Sequence, residues 1–233
     1  MASLGHPNLA LIFGAETWKG TPMLILEFLE GGTLASRLRH GPMPPSEVIA
    51  LGIQMARVLE KTHGEGVLHR DIKPSNIGFT AEGTAKLMDF GLVHVLHDFR
   101  AATSEPIGEN WQTMSITIPA GTRDTTEQEF LVGTPPYLAP ETLHTRVPSI
   151  SMDLWALAIV LYEAICGRNP MLRATLADTL ETVSRGAVPD IRQYAPACPE
   201  NLANFLKQAL SLDQWRRPQN AVDFRTGLER LGL

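Results

Sequence analysis

The stretch His69-Arg70-Asp71-Ile72-Lys73-Pro74-Ser75-Asn76 (HRDIKPSN) decides how this chain is read. Two more stretches follow it in order: Met88-Asp89-Phe90-Gly91, and then GTPPYLAPE at residues 133–141. Each packs acids, amides, hydroxyls or glycines into a short segment flanked by apolar sequence. The surrounding composition sets the frame on which such segments are mounted.

That frame is a globular one. The chain has 233 residues, 44% hydrophobic and 19% charged, which is too apolar for a disordered chain and long enough for one substantial core or two small lobes. Lys plus Arg number 20 against 25 Asp plus Glu, a net charge of -5, so no polyanion-binding surface is expected and nucleic acid is not an expected partner. The two cysteines, Cys166 and Cys198, are too few for a disulfide framework or a metal cluster and suit a reducing compartment. Residues 1–5 (MASLG) show no basic segment followed by an apolar one, so a secretory signal is not expected. The longest apolar stretch, residues 154–166 (LWALAIVLYEAIC), contains Glu163 and falls short of the roughly 20 residues that cross a bilayer. It reads as a buried helix, no membrane segment is expected, and the expected location is cytoplasmic.

Moving along the chain, apolar runs at 9–13 and 23–28 read as a hairpin, and Gly31-Gly32 ends it. Residues 33–40 are a short helix candidate, and Pro44-Pro45-Ser46-Glu47 introduces a longer helix. In that helix Val48, Leu51, Met55, Val58 and Leu59 make one buried stripe, with an end expected near 64–66. Short strands are expected at 76–79 and 84–88, joined by Glu82-Gly83. Residues 100–129 hold eight Ser/Thr and five acids without a period and read as a long polar loop. Helices then follow at about 151–166, closed by Gly167, at about 174–185, closed by Gly186, and at about 199–212 and 219–231.

On HRDIKPSN, MDFG and GTPPYLAPE the chain resembles the eukaryotic-like serine/threonine protein kinases, including their bacterial members. Five fixed residues in the first motif alone would match by chance in on the order of one in ten thousand chains of this size, and two further motifs stand in order. The resemblance implies an α+β, protein-kinase-like fold, a mainly α-helical C-lobe with a remnant of the N-lobe β-sheet. Residues 1–30 would be that remnant (the end of helix αC, two strands and the hinge) and residues 31–233 the C-lobe. The catalytic loop would be 69–76 and the activation segment 89–141. The implied activity is transfer of the γ-phosphate of ATP, with Mg²⁺, to Ser/Thr hydroxyls of protein substrates.

The resemblance also assigns roles. Asp71 would orient the acceptor hydroxyl and take its proton, and Lys73 would offset charge on the transferring phosphate. Asn76 and Asp89 would hold Mg²⁺ through oxygen ligands. Thr134 would hydrogen-bond Asp71 and Lys73 beside the peptide platform. Phe90 and Gly91 would form the turn that switches between active and inactive arrangements. Backbone groups at Glu27 and Leu29 would bond adenine, with Leu26 lining its pocket. Asp153 would brace the backbone of His69 and Arg70, and Glu141 would pair with Arg217. Arg70 would anchor a phosphorylated activation loop, yet Phe130 stands where the family carries a hydroxyl. Thr125 and Thr126 become the candidate phosphosites, and Glu127 or Glu129 an unmodified substitute. His63, His94, His97 and His144 lack metal-ligand spacing and read as surface or capping residues. Trp155 reads as a packing residue, and Cys166 as a small core residue.

The sequence departs from the family in two ways. The resemblance begins in the middle of the family pattern, with residues 1–5 like the very end of αC and His6-Pro7-Asn8-Leu9 like its link to the fourth strand, and the Gly-rich phosphate loop, the VAIK-type lysine and the αC glutamate are not among these 233 residues. An N-terminally truncated kinase is the reading, and the chain alone is expected to be a very poor enzyme. The alternative is a catalytically impaired kinase-like binding or scaffold module. A small-molecule phosphotransferase fits less well, because GTPPYLAPE resembles a peptide platform. Second, Gly78 stands where the family's adenine floor carries a larger apolar side chain, so modestly weaker nucleotide packing is expected.

Overall fold

The computed structural model describes residues 5–19, 21–89, 116–117, 130–131, 133–145 and 147–232. A hairpin opens the described chain, β1 (Ile12–Trp18) antiparallel to β2 (Thr21–Leu26), with Ile12 opposite Leu26 and Trp18 opposite Thr21. This differs from the expected strand at 9–13. Leu9 pairs elsewhere: it is buried and bridges Leu87 in parallel, with the Ala10 N–H donating to Leu87 O and the Leu87 N–H to Asn8 O. Past Phe13 the ladder runs on to Trp18, because backbone pairing with β2 does not need an apolar side chain at each position. Lys19, with φ 50, takes the left-handed conformation that a tight turn demands.

The helices follow local signals. Helix α1 (Leu34–Leu38) starts in a capping box: the Ser36 N–H donates to Thr33 Oγ1 and the Thr33 N–H to Ser36 Oγ, each at 3.1 Å. Helix α2 (Pro45–Gly64) has proline at its first position and buries Val48, Leu51, Met55, Val58 and Leu59. Helix α3 (Ile150–Cys166) is buried nearly all round, from Asp153 to Ile165, as its apolar sequence requires. Gly167 (φ 70) ends it, and Gly186 (φ 57) ends α4 (Leu176–Arg185). Helices α5 (Glu200–Ala209) and α6 (Ala221–Glu229) complete the body.

Helix α3 is the central element. At Gly52 of α2 an added Cβ would lie 2.6 Å from Leu228 Cδ1 and 2.8 Å from Leu161 Cδ1, so α2, α3 and α6 meet where no side chain fits. Phe205 and Phe224 join α5 to α6 edge to face at 5.0 Å. Between α2 and α3 the chain forms a second hairpin, β3 (Ile77–Phe79) with β4 (Ala85–Leu87), and a third pairs β5 (Ile116–Thr117) with β6 (Phe130–Leu131). Cys166 is half-buried, with its thiol donating to Arg168 O, rather than enclosed in the core. Among the described residues no helix is long and apolar enough to cross a membrane.

Candidate active site

The site is built outward from the first turn of α3. Asp153 there has a side chain only 2% exposed, and its oxygens are fully engaged. Oδ1 accepts the Arg70 N–H at 2.8 Å, and Oδ2 accepts the His69 N–H at 2.9 Å and lies 2.9 Å from His63 Nε2. His63, read from sequence as a surface or capping residue, is therefore buried against this carboxylate. Nothing in residue spacing links positions 63 and 153; only the packing of α2 on α3 does. Arg70 has φ 69, a left-handed conformation that costs a non-glycine residue about 1–3 kcal/mol. Two backbone bonds to a buried carboxylate, each worth about 1.5–3 kcal/mol, outweigh that cost.

With Arg70 held in this way, the chain turns Asp71 outward and His69 inward. His69 Nδ1 accepts the Asp71 N–H at 3.2 Å, and Nε2 donates to Met88 O at 2.9 Å. Burial pushes this imidazole below its ordinary pKa, which suits the neutral ring that the two bonds define. The ring thereby ties the 69–76 loop to the end of β4.

Asp71 sits in a closed polar triangle. Its Oδ1 accepts the Thr134 hydroxyl at 2.7 Å, its Oδ2 lies 2.6 Å from Lys73 Nζ, and Lys73 Nζ donates to Thr134 Oγ1 at 2.9 Å. Asn76, which ends the 3₁₀ turn Pro74–Asn76, donates Nδ2 to Asp71 O at 2.9 Å and to Asp71 Oδ2 at 3.2 Å. The Asp71 and Lys73 side chains remain 34% and 26% exposed, so the triangle is open to a reactant.

Asn76 is also tied to Met88, the residue before Asp89, because the Met88 N–H donates to Asn76 O at 2.8 Å. Asp89 has φ 57, a second left-handed residue in the site. With its amide nitrogen committed to Asp71, Asn76 offers Oδ1, and Asp89 offers a carboxylate. Among the described residues no group of three or more His, Cys, Asp or Glu could hold a metal. A small oxygen donor set fits Mg²⁺, which keeps waters and phosphate oxygens as its other ligands, and does not fit a softer ion. Phe90 and Gly91 lie outside the described residues, as do Thr125, Thr126, Glu127 and Glu129. Arg70 Nε is buried without a hydrogen-bond partner among the described residues.

At the other end, Glu27 is the organising side chain of the segment after β2. It lies 2.7 Å from Lys86 Nζ on β4 and accepts the Leu11 N–H at 3.0 Å, while its own N–H donates to Leu11 O at 2.9 Å. Burial alone would raise its carboxyl, but the Lys86 and Leu11 bonds prevail and hold it below the usual range. Lys86 is absent from the sequence reading, although its alternation between buried Ala85 and Leu87 marks it as facing away from the core. Leu26 pairs with Ile12 and is 37% exposed. Leu29 O accepts the Gly32 N–H at 3.3 Å, and Gly31 and Gly32 lock onto Phe79 through bonds of 2.8 and 2.9 Å.

The segment after Thr134 rests on two buried polar pairs. Glu141 takes Arg217 in a fork, Oε1 to Nη1 at 2.7 Å and Oε2 to Nη2 at 3.1 Å, while the guanidinium lies 4.6 Å from the Trp155 ring. Tyr137 donates to Glu163 Oε2 at 2.7 Å, and Asn169 Nδ2 donates to the same oxygen at 3.2 Å. Burial pushes the Glu163 carboxyl up. The sequence shows Glu163 only as a break in an apolar run; its partner 26 positions away is not legible there.

Comparison with known proteins places the chain among kinases. The serine/threonine-protein kinase PknB of Mycolicibacterium smegmatis is 29% identical over 236 residues, covering 99% of this chain and 34% of the relative. The DNA damage-responsive serine/threonine-protein kinase RqkA of Deinococcus radiodurans is 31% identical over 226 residues, covering 95% of this chain and 30% of the relative. The chain thus spans about a third of the length of these curated relatives. The crystal structure of Rad53 1-466 in complex with AMP-PNP superimposes with a TM-score of 0.70 at 20% identity, over 95% of this chain and 50% of that one, which shows the expected kinase-like fold. The family model described as the protein kinase domain matches residues 1–224, and the chain belongs to that family.

Proposed function

We propose that this chain is the catalytic part of a serine/threonine protein kinase, transferring the γ-phosphate of ATP to Ser/Thr hydroxyls of protein substrates. The observation that carries the reading is the Asp71, Lys73 and Thr134 triangle, with Asn76 bonded to Asp71 and, through its carbonyl, to Met88, the residue before Asp89. Asp71 holds the acceptor hydroxyl and receives its proton as the oxygen bonds to the γ-phosphorus and the bridge to the β-phosphate breaks, releasing ADP. Lys73 places its ammonium against the oxygens that gain charge, and Thr134 keeps both side chains aimed. Asn76 and Asp89 would hold Mg²⁺, which offsets charge on the phosphates when bound. Backbone groups at Glu27 and Leu29 bind adenine, beside Leu26.

Residues 1–30 belong to the nucleotide lobe and 31–233 to the helical lobe, with 69–76 as catalytic loop and 89–141 as activation segment. His69 and Asp153 hold the loop, Glu141 and Arg217 hold the platform, and Arg70, Phe90 and Gly91 belong to the activation switch. The names of the relatives support serine/threonine specificity. A net charge of -5 favours proteins over nucleic acid as partners, and two free cysteines fit a reducing, cytoplasmic setting. The test is transfer of labelled phosphate from Mg·ATP to Ser/Thr of a general protein acceptor, by the 233-residue form and by a form extended in frame upstream. Transfer that is lost in Asp89→Asn is expected. No transfer by either form contradicts the reading.

A further inference from the structure

The weaker nucleotide packing expected at Gly78 is set against the way its neighbours fill the space. Gly78 is buried in β3, and Thr33 bridges it from the start of α1. A Cβ added there would lie 2.4 Å from Leu29 Cδ1, 3.4 Å from Leu29 Cβ and 3.0 Å from Met88 Sδ. The volume above residue 78 is therefore filled already, by a side chain descending from the segment after β2 and by the residue that precedes Asp89. The approach is close because Gly31, whose own Cβ would lie 2.5 Å from Thr80 O, lets this segment lie directly on β3. Leu29 is only half-buried, so one face of it stays open.

We infer that Leu29, together with Met88, forms the apolar floor on which the purine base of the nucleotide rests, in place of the side chain that Gly78 lacks. The inference rests on the ATP reading above and deepens it. In that reading the base is held at Glu27 and Leu29 and the phosphates at Asp89. Leu29 and Met88, which both border the space above Gly78, lie between those two ends. A flat base needs an apolar surface against its face, and a leucine meeting a polarisable sulfur supplies one. Residue 29 thereby becomes the position that sets the fit of the base, and residues 29 and 78 become alternatives for one volume.

A swap of the two side chains tests this. Leu29→Ala, Gly78→Leu and the double variant are compared in the upstream-extended protein, with Mg·ADP affinity by calorimetry and thermal midpoint without nucleotide as readouts. Leu29→Ala is expected to weaken Mg·ADP about 10-fold, raising KM for ATP while kcat stays nearly level. Gly78→Leu is expected to lower the thermal midpoint, since its side chain contends with Leu29. The double variant is expected to regain both the midpoint and affinity within about threefold, because volume is conserved. Affinity unchanged or tighter in Leu29→Ala, or Gly78→Leu equally harmful in both backgrounds, overturns this inference alone. Absence of Mg·ADP binding by the unaltered protein overturns the kinase reading and this inference together.

Discussion

Replacing Asp153 by alanine removes the support of the 69–76 loop, and the structure sets the size of the effect. Its carboxylate, 2% exposed, accepts the Arg70 and His69 N–H groups at 2.8 and 2.9 Å and meets His63 Nε2 at 2.9 Å. Without it, two backbone donors and a ring nitrogen are left buried and unpaired, each backbone donor costing about 1–3 kcal/mol. The left-handed strain at Arg70, about 1–3 kcal/mol, is then no longer offset, and the loop relaxes away from φ 69. Relaxation recovers some of the loss, so the expected net destabilisation is about 3–5 kcal/mol, a large share of a typical domain's stability. Asp153→Asn keeps one acceptor oxygen and is expected to cost about half as much. Urea denaturation is the assay, read as a lower midpoint at unchanged m-value. Equal effects for the two variants, or less than 1 kcal/mol for alanine, would refute the reasoning.

Other outcomes follow from the same geometry. Glu141→Gln and Arg217→Met should each cost about 3–5 kcal/mol in urea denaturation, because each leaves a buried charge unpaired, while the double replacement should cost clearly less than the two together. Lys86→Met should raise the Glu27 carboxyl pKa, followed by carbon-detected NMR titration, and destabilise the chain by about 1–2 kcal/mol, since the pair is 13% and 19% exposed and only partly screened. Glu163 is raised by burial, so the folded state binds more protons than the unfolded one between its ordinary value of 4.5 and its raised value. Its contribution is complete below the unfolded pKa and lost as pH rises through the folded one. Stability measured against pH should therefore fall more steeply in that window for the wild type than for Glu163→Gln; matching slopes contradict the assignment.

How much of this was legible in the sequence depends on whether the information is local. The ends of α3 and α4 follow from Gly167 and Gly186, since a left-handed residue after a helix is a property of a few neighbours. The stripe on α2 is legible because 3.6-residue periodicity is a property of one element. HRDIKPSN stands out because phosphoryl transfer constrains residue type and spacing together, and the structure brings Asp71, Lys73 and Asn76 together with the distant Thr134. Partners set by packing are another matter. Lys86 finds Glu27 across 59 positions and His63 finds Asp153 across 90, and no spacing rule reaches so far. The strand to Trp18 escaped for a different reason: residues 13–18 alternate weakly, and only the partner strand β2 makes them extended. Leu29 above Gly78 was hidden in the same way, because a missing side chain in the sequence says nothing about which neighbour takes its volume.

The central claim is that Asp71 takes the proton of the acceptor hydroxyl during phosphoryl transfer, and the turnover number of Asp71→Asn tests it most directly. Asparagine keeps the shape of the triangle with Thr134 and the loop bonds, so the unfolding free energy from urea denaturation should change by less than about 1 kcal/mol. With the fold intact, kcat for transfer from Mg·ATP to a Ser/Thr acceptor should drop by about 10²–10⁴ while KM for ATP stays nearly level. A variant that folds normally and turns over at the wild-type rate would contradict the account.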